Sequence, residues 1–465
     1  MMKLNYFNFK RLGGKVLLTN DFGDYLFLTE QDFRQMIEKR GSLSPSLANS
    51  LLKARMVYDE SDIEFSALNH FDLREIKGFM AQATTLHIFV VTTACNLNCV
   101  YCQANNGTEC PNQFMDIETA ERAVDIALQS PTPNLSFEFQ GGEPLLNFEV
   151  VRHIVLYAEE HKGQHQISYS VVSNLTLLDD DMLEFFAAYH VGISTSLDGD
   201  QFVHDSNRPY RNGNGSFNTV KDTVGKIQGR NLSVGAIETT TRCSLGYARE
   251  IVEGYRLMNF NSIFVRPLTP LGKASLSWKD IGYTPEEFLQ FYREILREVI
   301  KQNLSGYQMQ EAHATILLKR MHGYNLNYME LRSPCGGGIG QLAYFADGRI
   351  FTCDEGRMLA EMGDDAFLLG DVFHSDYQSL MKHGACRTVC AASVLESLPS
   401  CCDCVYQPYC GTCPVLNYSA QKDVVEREPH TYRCKIYSGM LDILFEYLLK
   451  NEDSIVGIFE QWSNS

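Results

Sequence analysis

From Thr85 to about Leu271 the chain alternates short β-rich runs with helical segments, and this rhythm constrains its fold more than any other feature. The runs are LHIFVVTTAC, LSFEFQGGEP, ISYSVVSNLT, VGISTSLDG, SVGAIETTTR and SIFVRPLTP. Between several of them lie DIETAERAVDIALQ, NFEVVRHIVLYAEEHK, DDDMLEFFAAYH and GYAREIVEGYRLMN, each with helical spacing. Strands alternating with helices predict parallel βα units, hence an α/β barrel or an open sheet. In either architecture functional residues gather at the C-terminal ends of the strands. CNLNC, GGEP, SNL and SLDG each directly follow an apolar run, as that rule expects.

The flanks read differently. In residues 1–82, GKVLLTN and DYLFLT predict two strands joined by a turn at 21–24. EQDFRQMIEKR predicts a helix with Phe33, Met36 and Ile37 on one face, and PSLANSLLKAR a second. Two strands with two or three helices suggest a winged-helix-like module. A helix is well marked at YTPEEFLQFYREILREVIKQ, where Thr284 is the N-cap, Pro285 takes the first helical position and Glu287 completes a capping box. Beyond Pro334 the chain turns Cys- and Gly-rich, with the hairpin-like LAYFADGRIFTC, before a final helix at KIYSGMLDILFEYLLK. The expected units are 1–82, 83–305 and 306–465.

A net charge of -17 and the lack of a long basic run give no support to a nucleic-acid or anionic-membrane partner. No stretch of about 18 apolar residues exists to span a bilayer. The start, MMKLNYFNFKRLGGKVLL, lacks a signal-peptide pattern, so the expected location is the cytoplasm. The 15 cysteines are then a poor disulfide framework. They are also clustered: Cys95, Cys99 and Cys102 with Cys110 close behind, Cys243 alone, and the remainder between Cys335 and Cys434. Such density in a reducing compartment points to metal or iron–sulfur ligation.

CNLNCVYC places three thiols at C-x3-C-x2-C. Four cysteines would close a [4Fe–4S] cluster for electron transfer only, whereas three leave one iron free to bind a substrate or cofactor. Zinc is the plainer alternative, but it wants four ligands, and only Cys110 lies near enough to close such a site. One βα unit later, FQGGEPLL offers two glycines that permit close backbone approach, and the Glu143 carboxylate, suited to an ammonium group.

With these motifs the segment from about Thr85 to about Leu271 resembles the radical S-adenosylmethionine (SAM) enzymes. The resemblance implies a partial (β/α)6 barrel in which SAM chelates the open iron and is cleaved to a radical that abstracts hydrogen from the substrate. It implies that Cys95, Cys99 and Cys102 hold a [4Fe–4S] cluster and that Tyr101 packs near the adenine. Gly142 and Glu143 would face the methionine amino group, and Ser173 and Asn174 the cofactor's polar groups. Ser196 and Arg208 would make ribose and carboxylate contacts, and Leu268 would touch the adenine. Read from the residues alone, Ser173 and Asn174 are equally a polar turn at a strand end, Arg208 a solvated loop charge, and Asp198 an Asx-turn residue.

Cys335, Cys353, CCDCVYQPYCGTCP and Cys434 resemble the SPASM extension of radical SAM enzymes that modify peptides and proteins. Two auxiliary [4Fe–4S] clusters are implied, three in all. Cys335, Cys353 and Cys413 would hold the first, with an open iron or another cysteine as fourth ligand. Cys401, Cys404, Cys410 and Cys434 would hold the second. The final spacing, CGTC, is one residue shorter than the usual pattern; Cys402 could exchange with Cys401, and Cys386 or Cys390 could complete the first set. Paired cysteines also suit zinc. Asp354, directly after Cys353, matches an aspartate base of sulfatase-maturing relatives, and Glu355 adjoins it; the alternative is a solvated acidic turn.

FKRLGGKVLLTNDFGDYLFLTEQDF, CGGGIGQLAYFADGRIFTCDEGRM and PYCGTCPVLNY are most similar to the His-Xaa-Ser system radical SAM/SPASM maturase, its B component. That similarity implies oxidative modification or crosslinking of a ribosomally made precursor peptide or protein with His-Xaa-Ser repeats. A flavodoxin- or ferredoxin-type electron donor and a second maturase would be partners. The first unit would bind the leader peptide as an added strand, or else simply cap the barrel. Two other readings stay open: formylglycine generation on a sulfatase, and a non-catalytic iron–sulfur protein.

Overall fold

The computed structural model describes residues 2–38, 43–59, 63–105, 112–324, 326–425 and 431–465; Cys110 lies outside them. The strands of the N-terminal region are β1 (Met2–Leu4), β2 (Asn8–Leu12), β3 (Lys15–Thr19), β4 (Tyr25–Leu28) and β5 (Val57–Asp59). β1 pairs antiparallel with β5, and β2, β3 and β4 form a three-stranded antiparallel sheet. β3 and β4 are the two expected strands; β2 adds a third.

The centre is a ten-stranded sheet. β6 (Leu86–Thr92), β7 (Asn134–Gly141), β8 (Gln166–Ser173), β9 (Gly192–Ser196), β10 (Val234–Thr239) and β11 (Ser262–Arg266) lie side by side in chain order, all parallel. β6 is buried along almost its whole length, which is why LHIFVVT is a continuous apolar run rather than an alternating one. Each of the six β-rich runs forms the strand expected of it, and the four helical segments are present. Helices Gln201–Asn207 and Phe217–Gly229, between β9 and β10, were not expected. Thr and Gly weaken the propensity of the longer one, yet Val220, Val224 and Ile227 form a buried stripe.

The Cys-rich region is joined to this sheet. β12 (Gln310–Glu311) pairs parallel with β11. β13 (Gln341–Tyr344) pairs antiparallel with β14 (Arg349–Phe351), as a hairpin requires, and also parallel with β6. β14 in turn pairs with β15 (Leu368–Asp371). The helix Pro285–Leu304 carries its capping box, with Thr284 and Glu287 bonded reciprocally.

The N-terminal sheet is covered on both faces. Val16, Leu18 and Leu28 pack against Phe33, Met36 and Leu51. Ile37, expected with Phe33 and Met36, stays 39% exposed because the sheet covers a narrower arc of its helix. On the other face Leu17 enters the central core, and Tyr25 and Phe27 meet Phe445 edge-on, on the helix Tyr432–Lys450. The same unit bonds to the cysteine loop: Asn8 Nδ2 donates to the Cys402 and Cys404 carbonyls, and Thr19 Oγ1 to Val405. Among the described residues no helix is long and apolar enough to cross a membrane.

His87 on β6 is fully buried, with Nδ1 3.0 Å from the Tyr344 hydroxyl of β13. Burial lowers its pKa to about 3. Below about pH 6.5 the unfolded chain therefore binds a proton that the native chain refuses, and stability falls as pH drops from there toward 3. His87→Gln is expected to shallow that dependence by up to ~1.4 kcal/mol per pH unit, measured by urea unfolding between pH 6.5 and 4.5. An unchanged slope would contradict the assignment.

Candidate active site and cysteine sites

The CNLNCVYC loop leaves the end of β6 and is clamped on three sides. From β7, Gly142 N donates to Thr92 O and Glu143 N to Ala94 O, both at 2.8 Å. A Cβ on Gly141 or Gly142 would fall under 3.0 Å from the backbone of Thr92 or of Thr93 and Ala94. The glycines thus permit an approach to the cysteine loop's own backbone. On the second side, Asn98 N and Val100 N donate to the carbonyls of Pro209 and Asn207, and Arg211 Nε to Cys95 O. On the third, Gly272 has φ +57°, and a Cβ there would strike Gln103 O, while Lys273 N donates to Cys102 O at 2.9 Å. Gly272, Lys273 and Arg211 carry no sequence signal that marks them, because their role is created by tertiary contact.

Glu143 is fully buried. Its carboxylate accepts from Ser173 Oγ at 2.8 Å, Asn174 N at 2.7 Å and Leu145 N at 3.1 Å. Burial raises its pKa despite these bonds. Asn174 Nδ2 continues to Asn96 Oδ1 at 2.9 Å, inside the cysteine loop, and lies 3.9 Å from Cys95 Sγ. Ser173 and Asn174 are therefore more than a turn: they connect β8 to Glu143 and to the thiols.

A second buried network holds Tyr101. Its hydroxyl donates to Asp198 at 2.7 Å and accepts from Arg208 Nη1 at 2.5 Å, and Arg208 lies over the ring. Arg208 is buried, not a solvated loop charge, and its Nε has no partner. Asp198 is no Asx-turn residue: besides Tyr101 it accepts from Thr239 N, across to β10. Ser196 ends β9 half-buried; Leu268 is buried after β11, its N–H donating to the Tyr283 hydroxyl.

The three thiols of the loop act on one another. Burial, and then Cys99, push Cys95 up to about 11; burial, Cys99 and Cys95 push Cys102 up to about 12. Buried neighbouring thiols of this kind need metal to become thiolates. Among the described residues no three His, Cys, Asp or Glu side chains converge at the spacing of a single ion.

Cys335, Cys353 and Cys413 line one cavity, of about 670 Å³ of empty space partly open to solvent. Glu355, Glu330, Arg266 and Arg433 also face it, as does Gln103, directly after Cys102, so it adjoins the loop. Cys386 and Cys390 are not among its lining residues; Cys386 packs beneath Gly338 instead. Asp354 points elsewhere, paired at 2.7 Å with buried Arg357, which also holds Glu361. The last four thiols form a third group: burial, then Cys404, with Cys434 and Cys401 also contributing, push Cys410 up to about 12.

The thiols of the cysteine loop and the polar groups around them gather at the carboxyl ends of the parallel strands. Residues 89–247 match the family model of the radical SAM superfamily. The chain is 33% identical over 190 residues to an uncharacterized protein of Methanocaldococcus jannaschii, covering 41% of this chain and 65%, under two thirds, of that one. A serine-type anaerobic sulfatase-maturating enzyme of Bacteroides thetaiotaomicron is 24% identical over 381 residues, covering 76% of this chain and 88% of the other. Native anSMEcpe with bound AdoMet and Kp18Cys peptide superposes with a TM-score of 0.68 at 20% identity, covering 79% of this chain and 98% of that one. Streptococcus suis SuiB bound to precursor peptide SuiA gives 0.55 at 14% identity, covering 92% and 99%. At these identities the structural likenesses establish a shared fold.

Gly142→Ala is expected to displace the cysteine loop, since the atoms it meets are backbone. A cost of about 1–3 kcal/mol should appear as a lowered urea midpoint; a midpoint at the wild-type value would count against the clamp.

Proposed function

We propose that this protein modifies a ribosomally made peptide or protein by hydrogen abstraction, with the Cys95, Cys99 and Cys102 thiols holding a SAM-binding [4Fe–4S] cluster. The carrying observation is the adjacency of that loop to the cavity lined by Cys335, Cys353 and Cys413. The bound cofactor and cluster supply a carbon radical; the chain's own residues orient, shield and manage the proton. Glu143 and Asn174 set the position of the cysteine loop, with Ser173 fixing the Glu143 carboxylate. Arg208 and Asp198 lock Tyr101 beside it. Tyr101, Gly142, Ser196 and Leu268 form the remaining surface offered to the cofactor.

Cys335, Cys353 and Cys413 would hold one auxiliary cluster, and Cys401, Cys404, Cys410 and Cys434 a second, giving an oxidised product's electron a way out. Glu355 faces the cavity and takes the substrate proton, whereas Asp354 serves Arg357. A peptide substrate is supported by the likeness to anSMEcpe with its bound Kp18Cys peptide and to SuiB bound to precursor peptide SuiA. Within that class we assign a His-Xaa-Ser repeat precursor, its leader bound by residues 1–82, with a flavodoxin- or ferredoxin-type donor and a cooperating second maturase. The competing reading, formylglycine generation, draws on the sulfatase-maturating relative but needs Asp354 free, and Arg357 occupies it.

Anaerobically reconstituted protein with reductant and SAM is expected to release 5′-deoxyadenosine. Replacing Cys95, Cys99 and Cys102 by alanine should abolish that release while iron bound by the C-terminal cysteines persists. Cleavage surviving the triple change would overturn the assignment. Glu355→Gln should keep 5′-deoxyadenosine formation but lower modified peptide by at least about tenfold in mass spectrometry, in keeping with loss of a general base. Asp354→Asn should instead cost about 1.5–3 kcal/mol of stability through Arg357. If the two variants exchange these behaviours, Asp354 is the base.

A further inference from the structure

A buried charge needs a partner, and two guanidiniums near the third thiol group lack a complete one. Arg320, on the helix Ala312–Met321, lines a cavity shared with Cys410 and with the carboxylates of Asp21 and Glu396, of which Glu396 pairs with Lys77. Its Nε is buried without a hydrogen-bond partner, and its one bond is from Nη2 to Leu326 O at 3.3 Å. Among the described residues no carboxylate lies within ion-pair distance of it. Burial accordingly pulls its pKa down to about 10, and the counteracting charge is that of Cys410.

Arg433 approaches from another side. It precedes Cys434 on the helix Tyr432–Lys450, donates from Nη2 to Glu330 O at 3.0 Å and lies 4.3 Å over the Tyr437 ring. Its Nε too is buried and unpartnered. It faces the cavity of Cys335, Cys353 and Cys413, and its charge acts on Cys410 as well as Cys413. Cys410 thus shares a cavity with Arg320, and Arg433 directly precedes Cys434.

We propose that Arg320 and Arg433, the latter only partly offset by the Glu330 carboxylate it shares with Arg266, are positioning residues whose counter-charge is completed by the cluster held by Cys401, Cys404, Cys410 and Cys434, and that they hold its reduction potential up. This rests on the auxiliary-cluster reading above. A four-thiolate cluster is anionic and gains one negative charge on reduction, so nearby buried cations favour the reduced form. The substrate radical then loses one electron and one proton; the electron reduces the cluster by one unit, and the proton goes to a carboxylate. Arg433 also stands between the two auxiliary thiol groups, where it stabilises an electron on either.

The test uses the anaerobic holoprotein and the variants Arg320→Gln, Arg433→Gln and Arg320→Lys, with iron counts and an EPR-monitored redox titration. Both Gln variants are expected to lower the cluster's reduced-to-oxidised ratio at fixed potential by at least tenfold, about 59 mV for one electron. Arg320→Lys should stay near wild type. Unchanged midpoints in both Gln variants with iron intact, or an equal drop in Arg320→Lys, would overturn the proposal. If Arg320→Gln sheds the cluster, retention by Arg320→Lys supports a charge role and loss from both opposes it. The Cys95, Cys99 and Cys102 triple-alanine variant separates the two readings: if it binds no iron, the auxiliary clusters themselves are absent and this inference falls with them.

Discussion

The closeness of two backbones, the Gly141–Gly142 turn after β7 and the Thr92–Ala94 segment after β6, is the constraint on which the site depends. No side chain fits between them. Their union places the Glu143 carboxylate under the cysteine loop, where Ser173 and Asn174 reach it from β8. Three adjacent parallel strands are thereby tied at their carboxyl ends by one buried acid. Such an acid is costly unless its lone pairs are filled, and here protein donors fill them. The result is a loop whose three thiols are held in place by contacts within the protein itself.

The rest of the molecule is arranged around that loop. β13 pairs with β6, so the hairpin leading to Cys353 is hydrogen-bonded to the strand that leads to Cys95. The Cys335, Cys353 and Cys413 cavity consequently opens next to Gln103. The third thiol group lies beyond, its loop gripped by Asn8 and Thr19 of the N-terminal unit. The N-terminal unit and this cysteine loop are thus joined by direct hydrogen bonds. Arg433 links the second and third groups electrostatically.

Much of this was legible in the sequence, for reasons that differ by element. The six parallel strands are legible as short β-rich runs with helical segments between them; β6 is apolar throughout because both its faces are buried, whereas β7 to β11 alternate buried and partly exposed residues. The capping box at Thr284 is local chemistry and was readable as such. The grouping of Cys335 with Cys353 and Cys413, and of Cys410 with Cys401, Cys404 and Cys434, is what the family resemblance implies; in the structure Cys335, Cys353 and Cys413 line one cavity. What spacing could not convey was tertiary: the parallel pairing of LAYF with β6, the clamp at Gly272, the pairing of Asp354 with Arg357, and the burial of Arg208. Glycines at 141 and 142 were visible, but the surface they approach was not. The Val220, Val224 and Ile227 stripe is the sequence signal for the helix Phe217–Gly229.

The central claim is that Cys95, Cys99 and Cys102 leave one iron to the cofactor. Electron–nuclear double resonance on the reduced protein, with SAM labelled with ¹⁵N in its amino group and ¹⁷O in its carboxylate, tests this directly. Couplings from both labels to the cluster are predicted, and they should vanish when any one of the three cysteines is replaced. A reduced cluster whose spectrum is indifferent to SAM, with no coupling to either label, would contradict the account.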